Sequence, residues 1–335
     1  MMIVTRTPVR VSFLGGGTDY LEYYRLYGGQ ILAVAIDKYS YITVNPLAQL
    51  FDHSIRVSYS KTELTKGVDE IKHPSVRECL RLLKLAGRVE IHYVGDLPAR
   101  TGLGSSSSFT VGLLHALHAL KGELVDRERL AKEAVYVERE LIGERVGVQD
   151  QFVCALGGLL HLRIDRDGDV RASAVPLHRE RLAELRSHLM LFYTGVRRDA
   201  HEILEEQLSR TAKREIDEQL GQLGGLVEEG LRLLSSEEPI VGFGELLDQA
   251  WRAKRELSSR ISSPAIDDLY QRAIRAGAAG GKLLGAGGGG FLLLLASPSR
   301  QRSVEAALVG CPRIEFGFDH QGTSLVLYDA RSSAE

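Results

Sequence analysis

Residues 98–108 read PARTGLGSSSS and run straight into the apolar stretch FTVGLLHALHAL. Gly102 and Gly104 free the backbone for positive φ and close approach, while the serines occupy the first turn of a helix whose body must be buried. The N–H groups at a helix start have no helical partner, and the helix dipole is positive there, so this loop suits an anion. A turn with plain serine capping would use the same residues. The stretch is not a Walker A loop, because no Gly-Lys-Ser/Thr follows. Ser107 and Glu123 approximate the third small residue and the ribose-binding acid of a dinucleotide fingerprint. However, residues 96–101 separate the preceding strand from the first glycine, which argues against that reading.

The rest of the chain narrows the choice. A length of 335 residues, 44% of them hydrophobic, predicts a globular protein of two domains. With 42 Lys plus Arg against 44 Asp plus Glu, there is no global basic field to draw nucleic acid. Cys79, Cys154 and Cys311 are widely spaced, which excludes a CxxC zinc site and suggests a reducing, cytoplasmic setting. The N-terminus alternates like a strand, and FLLLLA at 291–296 is far too short to span a bilayer, so no membrane partner is expected.

Strand character marks IVTRTPVRVSF, ILAVAIDKYSYITVNP, IRVSYS, VEIHYVGDLP, LLHLRID and HLMLFYTG. Helical spacing marks 74–86, 105–120, 126–143 with Asp126 as N-cap, a charged and solvent-facing 199–235, then 242–258, 264–278 and 299–308. Strands and helices mix in both halves. An α+β fold is therefore expected, with domains at 1–175 and 176–335.

Three further stretches carry chemistry. RTPVRVSFLGGGTDYLEYY (6–24) sets three glycines between a strand and Asp19. GVQDQFVCALGG (147–158) places Asp150 among uncharged neighbours, where it is either a reactive carboxylate or a satisfied buried one. LLGAGGGGF (283–291) has five glycines in nine residues, which points to backbone lying against another backbone or a ligand.

Taken together and in this order, PVRVSFLGGGTDY, PARTGLGSSSS and KLLGAGGGGF resemble the three motifs of the GHMP kinases, across essentially the whole chain. The resemblance implies an N-terminal ribosomal-protein-S5-domain-2-like domain, a C-terminal ferredoxin-like domain and an active site between them. ATP and Mg²⁺ would be the cofactors and a small sugar phosphate the other substrate, and a homodimer is compatible with it. Asp150 matches the catalytic base and Arg10 the cation beside it. Pro98, Gly102, Leu103, Gly104, Ser105, Ser106, Ser107 and Ser108 match the nucleotide loop, with Ser106 and Glu138 reaching the metal; the resemblance prefers Glu138 to Glu140.

Where galactokinase-like members usually carry Gly-Glu-His-Thr-Asp-Tyr, this chain has Gly15, Gly16 and Gly17 before Thr18, Asp19 and Tyr20. That departure is most similar to the branch that phosphorylates the anomeric hydroxyl of D-glycero-D-manno-heptose 7-phosphate. Fucose- and galactose-type sugar 1-kinases share parts of the pattern. On this reading Asp19 binds sugar hydroxyls, and Gly15 to Thr18 and Gly287 with Gly288 shape the sugar pocket. A sugar phosphate needs cations, for which Arg197 and Arg198 are the candidates, with Lys282 and Lys38 behind them. His115 and His118 read as structural.

Overall fold

The computed structural model describes residues 1–98, 101–196 and 200–329. Two long strands, β1 (Met2–Leu14) and β2 (Gly29–Pro46), run antiparallel at the heart of the first sheet. In β2, Leu32, Val34 and Ile36 enter one hydrophobic cluster while Ile31, Ala33 and Ala35 enter another. The period of two sends alternate side chains to opposite faces, and a continuous apolar run is what a strand covered on both faces requires.

Between them, α1 (Leu21–Tyr27) makes the connection. β3 (Ile55–Ser58), β4 (Thr62–Thr65), α2 (Pro74–Leu82) and β5 (Val89–Gly95) follow, then α3 (Ser105–Leu120), α4 (Arg127–Tyr136) and α5 (Gln149–Leu156). The hairpin β6 (Leu159–Ile164) and β7 (Val170–Ala174) turns on Asp165, which accepts from the N–H groups of Asp167 and Asp169. The main path of this sheet is β12-β1-β2-β5-β3-β4, and β6 also pairs with β2. Its edge strand β12 (Ser324–Asp329) comes from the far end of the chain and pairs with β1, so the half read as the C-terminal domain returns its last strand to the first sheet.

The second sheet has the order β11-β8-β10-β9. It holds β8 (Leu189–Tyr193), β9 (Gly280–Leu283), β10 (Phe291–Leu295) and β11 (Arg313–Ile314), and every pairing is antiparallel. α6 (Arg179–His188) leads into it. Helices α7 (Ala200–Ala212), α8 (Asp217–Leu234), α9 (Val241–Leu257) and α10 (Pro264–Arg275) link β8 to β9, and α11 (Pro298–Ala307) links β10 to β11. The βαββαβ succession with that strand order is the ferredoxin-like arrangement.

Two expectations need correction. The segment 199–235 is two helices rather than one, and α8 is not a solvent-facing helix: Leu220, Leu223, Leu226, Val227, Leu233 and Leu234 are buried. They share one cluster with Val11, Phe13, Leu32 and Val34 of the first sheet, so α8 joins the two sheets into one core. The helix expected over 126–143 is α-helical only to Tyr136, with Asp126 capping the Arg129 N–H as expected; Val137–Leu141 then widens into a π-helical turn. Among the described residues, no helix is long and apolar enough to cross a membrane.

Candidate active site

Arg10 sits mid-way along β1, and its own N–H donates to the Leu103 carbonyl of the glycine-serine loop. Its guanidinium forks onto Asp150 in the first turn of α5, Nε to Oδ1 at 2.7 Å and Nη2 to Oδ2 at 2.8 Å. The remaining Nη1 donates to the Gly102 carbonyl at 2.7 Å. One side chain therefore ties the carboxylate to the loop, with the two-point geometry that only a planar fork provides. Burial works against the Arg10 charge, but Asp150 more than offsets it, so its acidity is weaker than usual. The arginine side chain is 5% exposed and that of Asp150 25%, so the carboxylate is the member of the pair open to the cavity.

Gly104 makes this pair possible. It has φ +73°, and a Cβ there would lie 3.0 Å from Asp150 Oδ2 and 3.2 Å from Arg10 Cγ. The same left-handed residue starts α3, turning its first residues, Ser105 and Ser106, to the cavity.

Asp19 closes the site from the triple-glycine side. It is fully buried, and accepts from Gly17 N–H at 3.3 Å and from both the N–H and Nε2 of Gln149, at 3.3 and 3.2 Å. Burial and the nearby Asp150 charge push its carboxyl above the usual carboxylate range. A Cβ at Gly147 would fall 1.9 Å from Asp19 Oδ2, so only glycine fits behind this acid. Arg139 holds the loop carrying Gly147, donating to the Val146 carbonyl at 2.8 Å and to the Tyr24 hydroxyl at 3.0 Å.

Glu138 lies in the π-helical turn, a local widening often found at functional positions. Its Oε2 accepts from Ser107 Oγ at 2.9 Å and from Gln151 Nε2 at 2.5 Å. Among the described residues its Oε1 is buried with no hydrogen-bond partner, as is Oε1 of Gln151. Burial pushes this carboxyl up to about 7 against the bonds from its neighbours. By contrast, Glu140 is exposed.

Arg10, Asp150, Asp19 and the first serines of α3 line a cavity of about 780 Å³, whereas Glu138 lies buried behind its wall. At one end stand Tyr59, His73, Tyr93 and Phe109, with the His73 ring stacked on Phe109 at 4.8 Å and Tyr93 edge-on to it at 5.3 Å. In the middle lie Gly102, Gly104, Ser105, Ser106 and the Arg10–Asp150 pair. At the other end are Gly16, Gly17, Asp19, Tyr20, Gln149, Gln207, Lys254 and Lys282.

Models of the GHMP kinase N-terminal and C-terminal domains match residues 74–158 and 233–310 of this chain. The chain belongs to the GHMP kinases. As members of this family are ATP-dependent phosphotransferases, the chain is one too. It is 26% identical to the D-glycero-alpha-D-manno-heptose 7-phosphate kinase of Campylobacter jejuni, over 91% of this chain and 93% of that one. It is 28% identical to a galactokinase of Pyrococcus furiosus over 92% of each. In fold, it superposes on a D-glycero-D-manno-heptose 1-phosphate kinase from Bacteroides thetaiotaomicron with TM-score 0.78 at 22% identity, covering 98% of this chain and all of that one. The mevalonate kinase of Methanococcus jannaschii gives 0.70 at 22% identity, covering 95% and 98%.

Within this GHMP kinase, the motif residues divide between cavity and scaffold. Of the nucleotide loop, Gly102, Gly104, Ser105 and Ser106 line the cavity. Pro98 and Leu103 offer backbone carbonyls to Thr101 and Arg10, Ser107 turns to Glu138, and Ser108 donates to the Thr7 carbonyl. Gly15 and Thr18, expected in the sugar pocket, instead build the loop: Thr18 Oγ1 donates to the Gly15 and Gln30 carbonyls. Gly287 and Gly288 pack on Ile261, and Gly285 and Ala286 face the cavity in their place. The glycine-rich third motif is explained by backbone meeting backbone, since Cβ atoms at Gly285 and Gly290 would lie 2.3 Å from Gly102 Cα and 2.4 Å from the Thr101 carbonyl oxygen.

Arg197 and Arg198 lie outside the described residues. Lys38 does not line the cavity and sits 3.8 Å from Asp37, whereas Lys282 does line it. His118 bridges Glu123 and Glu133, and His115 meets Thr323, so both are structural as expected. Sequence reasoning missed Lys254 and the aromatic end. Lys254 had a signal, because it continues the spacing of Leu247, Ala250 and Trp251 on the buried face of α9. The four aromatic residues come from separate elements and left no local pattern.

Proposed function

We propose that this GHMP kinase transfers the γ-phosphoryl group of ATP to the anomeric (C1) hydroxyl of D-glycero-D-manno-heptose 7-phosphate, giving the 1,7-bisphosphate for nucleotide-activated heptose synthesis in the cytoplasm. The observation that carries the chemistry is the Arg10–Asp150 pair, open to the cavity between the phosphate loop and the triple-glycine loop. The base of ATP fits the aromatic end, where flat rings offer stacking. Its phosphates fit the start of α3. The sugar then occupies the end bounded by Gly16, Gly17 and Asp19, with Asp150 beside the attacking hydroxyl. Asp150 takes the proton as the oxygen attacks, and Arg10 fixes the carboxylate and keeps a positive charge beside the transfer.

Support for the heptose comes from the near full-length likeness to the Campylobacter enzyme, with Gly16 and Gly17 lining that end. The orphan Oε1 of Glu138 fits a hard cation, which takes oxygen ligands. Glu138 and Ser106 would hold Mg²⁺, with Ser107 and Gln151 orienting the carboxylate; the ion would supply neutralisation of phosphate charge.

The test is a turnover assay with heptose 7-phosphate, mannose, fucose and galactose, locating the new phosphate by ³¹P NMR. The proposal expects highest kcat/KM for the heptose phosphate and a C1-linked product. Preference for galactose or fucose would leave a sugar 1-kinase but overturn the heptose assignment.

A further inference from the structure

Two lysines on the cavity wall have no counter-ion among the described residues. Lys254 reaches in from α9, donating to the Leu283 carbonyl at 3.2 Å and to the Gly285 carbonyl. Lys282, on β9, donates to the Phe13 carbonyl at 2.8 Å. The residues are 9% and 3% exposed, and among the described residues neither ammonium has a carboxylate partner. Carbonyls orient an ammonium but do not neutralise it, and charges so buried are ordinarily paired.

An ammonium has three donors, so one N–H of Lys254 and two of Lys282 remain. Arg10 does not relieve them. It is a third cation on the same wall, its fork already taken by Asp150, and its charge opposes both lysines. The position is also specific. Gly285, which Lys254 grips, packs on Gly102 of the phosphate loop, and Lys254 shares the cavity wall with Gln207 and Gly17. The lysines therefore stand where the loop meets the acceptor end. Burial first, then neighbouring positive charge, pushes both below the ordinary lysine range, Lys282 to about 7.

We infer that Lys254 and Lys282 together form a receptor for a phosphoryl dianion at the junction of the phosphate loop and the acceptor end of the cavity. This rests on the kinase reading above and adds to it a residue, Lys254, that no motif marks. A dianion would supply the missing countercharge, and its several oxygens would meet the remaining N–H donors from two directions. The group has two possible sources: the acceptor's own phosphate, or the terminal phosphoryl of the nucleotide.

Calorimetric titration of the full chain, compared with Lys254→Met and Lys282→Met, separates them. The probes are adenosine, ADP, a non-hydrolysable ATP analogue, mannose and mannose 6-phosphate. Each variant is expected to lose about 10-fold or more in affinity for a phosphorylated probe, the scale of a charged hydrogen bond, with adenosine binding unchanged. A loss confined to mannose 6-phosphate assigns the site to the acceptor's phosphate, and a loss for the ATP analogue but not ADP assigns it to the transferred group. Wild-type affinity for all phosphorylated probes in both variants overturns the inference while leaving the kinase reading intact. A loss extending to adenosine also overturns it, by making the lysines structural. If Lys254→Met does not fold, Lys282→Met and Lys254→Gln carry the same comparison. Failure of the wild-type chain to bind either nucleotide would overturn the kinase reading itself.

Discussion

Asp150 and Glu138 sit in neighbouring parts of one site and could hardly be treated more differently. Asp150 has both oxygens held by one guanidinium and a face open to the cavity. Glu138 is 1% exposed and, among the described residues, accepts only neutral donors and has one oxygen without a hydrogen-bond partner. The protein supplies the countercharge for the first acid and withholds it from the second. A buried carboxyl without a cation is pushed toward its neutral form.

Short of replacing Asp150 itself, removing the supplied charge should have the largest effect. Arg10→Met is expected to lower kcat by about 10²–10³-fold, the range for losing a fixed charge at a transfer site. Arg10→Lys should recover only part of that, because an ammonium cannot grip both oxygens. Equal activity of the two variants in steady-state assays would contradict the two-point role.

Glu138 offers an opposite test, on stability. Its native value near 7 lies above the ordinary 4.5, so the folded state binds this proton more tightly than the unfolded state. The stabilisation is complete below about pH 4.5 and is lost as pH rises through 7. In magnesium-free buffer, Glu138→Gln should therefore gain stability relative to wild type at pH 8, on the order of a few kcal/mol, and none at pH 4. The same variant should need much more Mg²⁺ for turnover. Parallel stability curves for the two proteins between pH 4 and 8 would show that burial does not raise the Glu138 carboxyl.

Two glycines sharpen the comparison further. Gly104→Ala would press on the Arg10–Asp150 pair and should cost about tenfold in kcat as well as about 1 kcal/mol in stability from its positive φ. Gly143→Ala shares a positive φ, +80°, but faces open space. It should lose only the ~1 kcal/mol, with kcat unchanged. A fall in kcat at Gly143 equal to that at Gly104 would detach the effect from the pair.

Much of this was legible in the chain itself. The long strands, Asp126 as a cap, the loop into α3 and the four chemistry-bearing stretches follow from local pattern, because pleat, cap and turn are set by nearest neighbours. Asp150, Arg10 and Asp19 were found because they lie in those stretches. Which serine meets Glu138 was not legible: Ser106 and Ser107 are neighbours, and only the helix rotation shows that Ser107 turns inward. The burial of α8 escaped because its apolar residues are diluted by charge in a long window. β12 escaped as a partner of β1 because its pairing spans more than 300 residues. The aromatic end assembles only in three dimensions.

The central claim is that Asp150 accepts the proton of the attacking hydroxyl, and Asp150→Asn tests it most directly. In single-turnover measurements with saturating ATP and sugar, alongside direct titration of nucleotide, the account predicts a chemical step slower by about 10²–10⁴-fold with nucleotide affinity within twofold of wild type. A chemical step at near wild-type rate would contradict it.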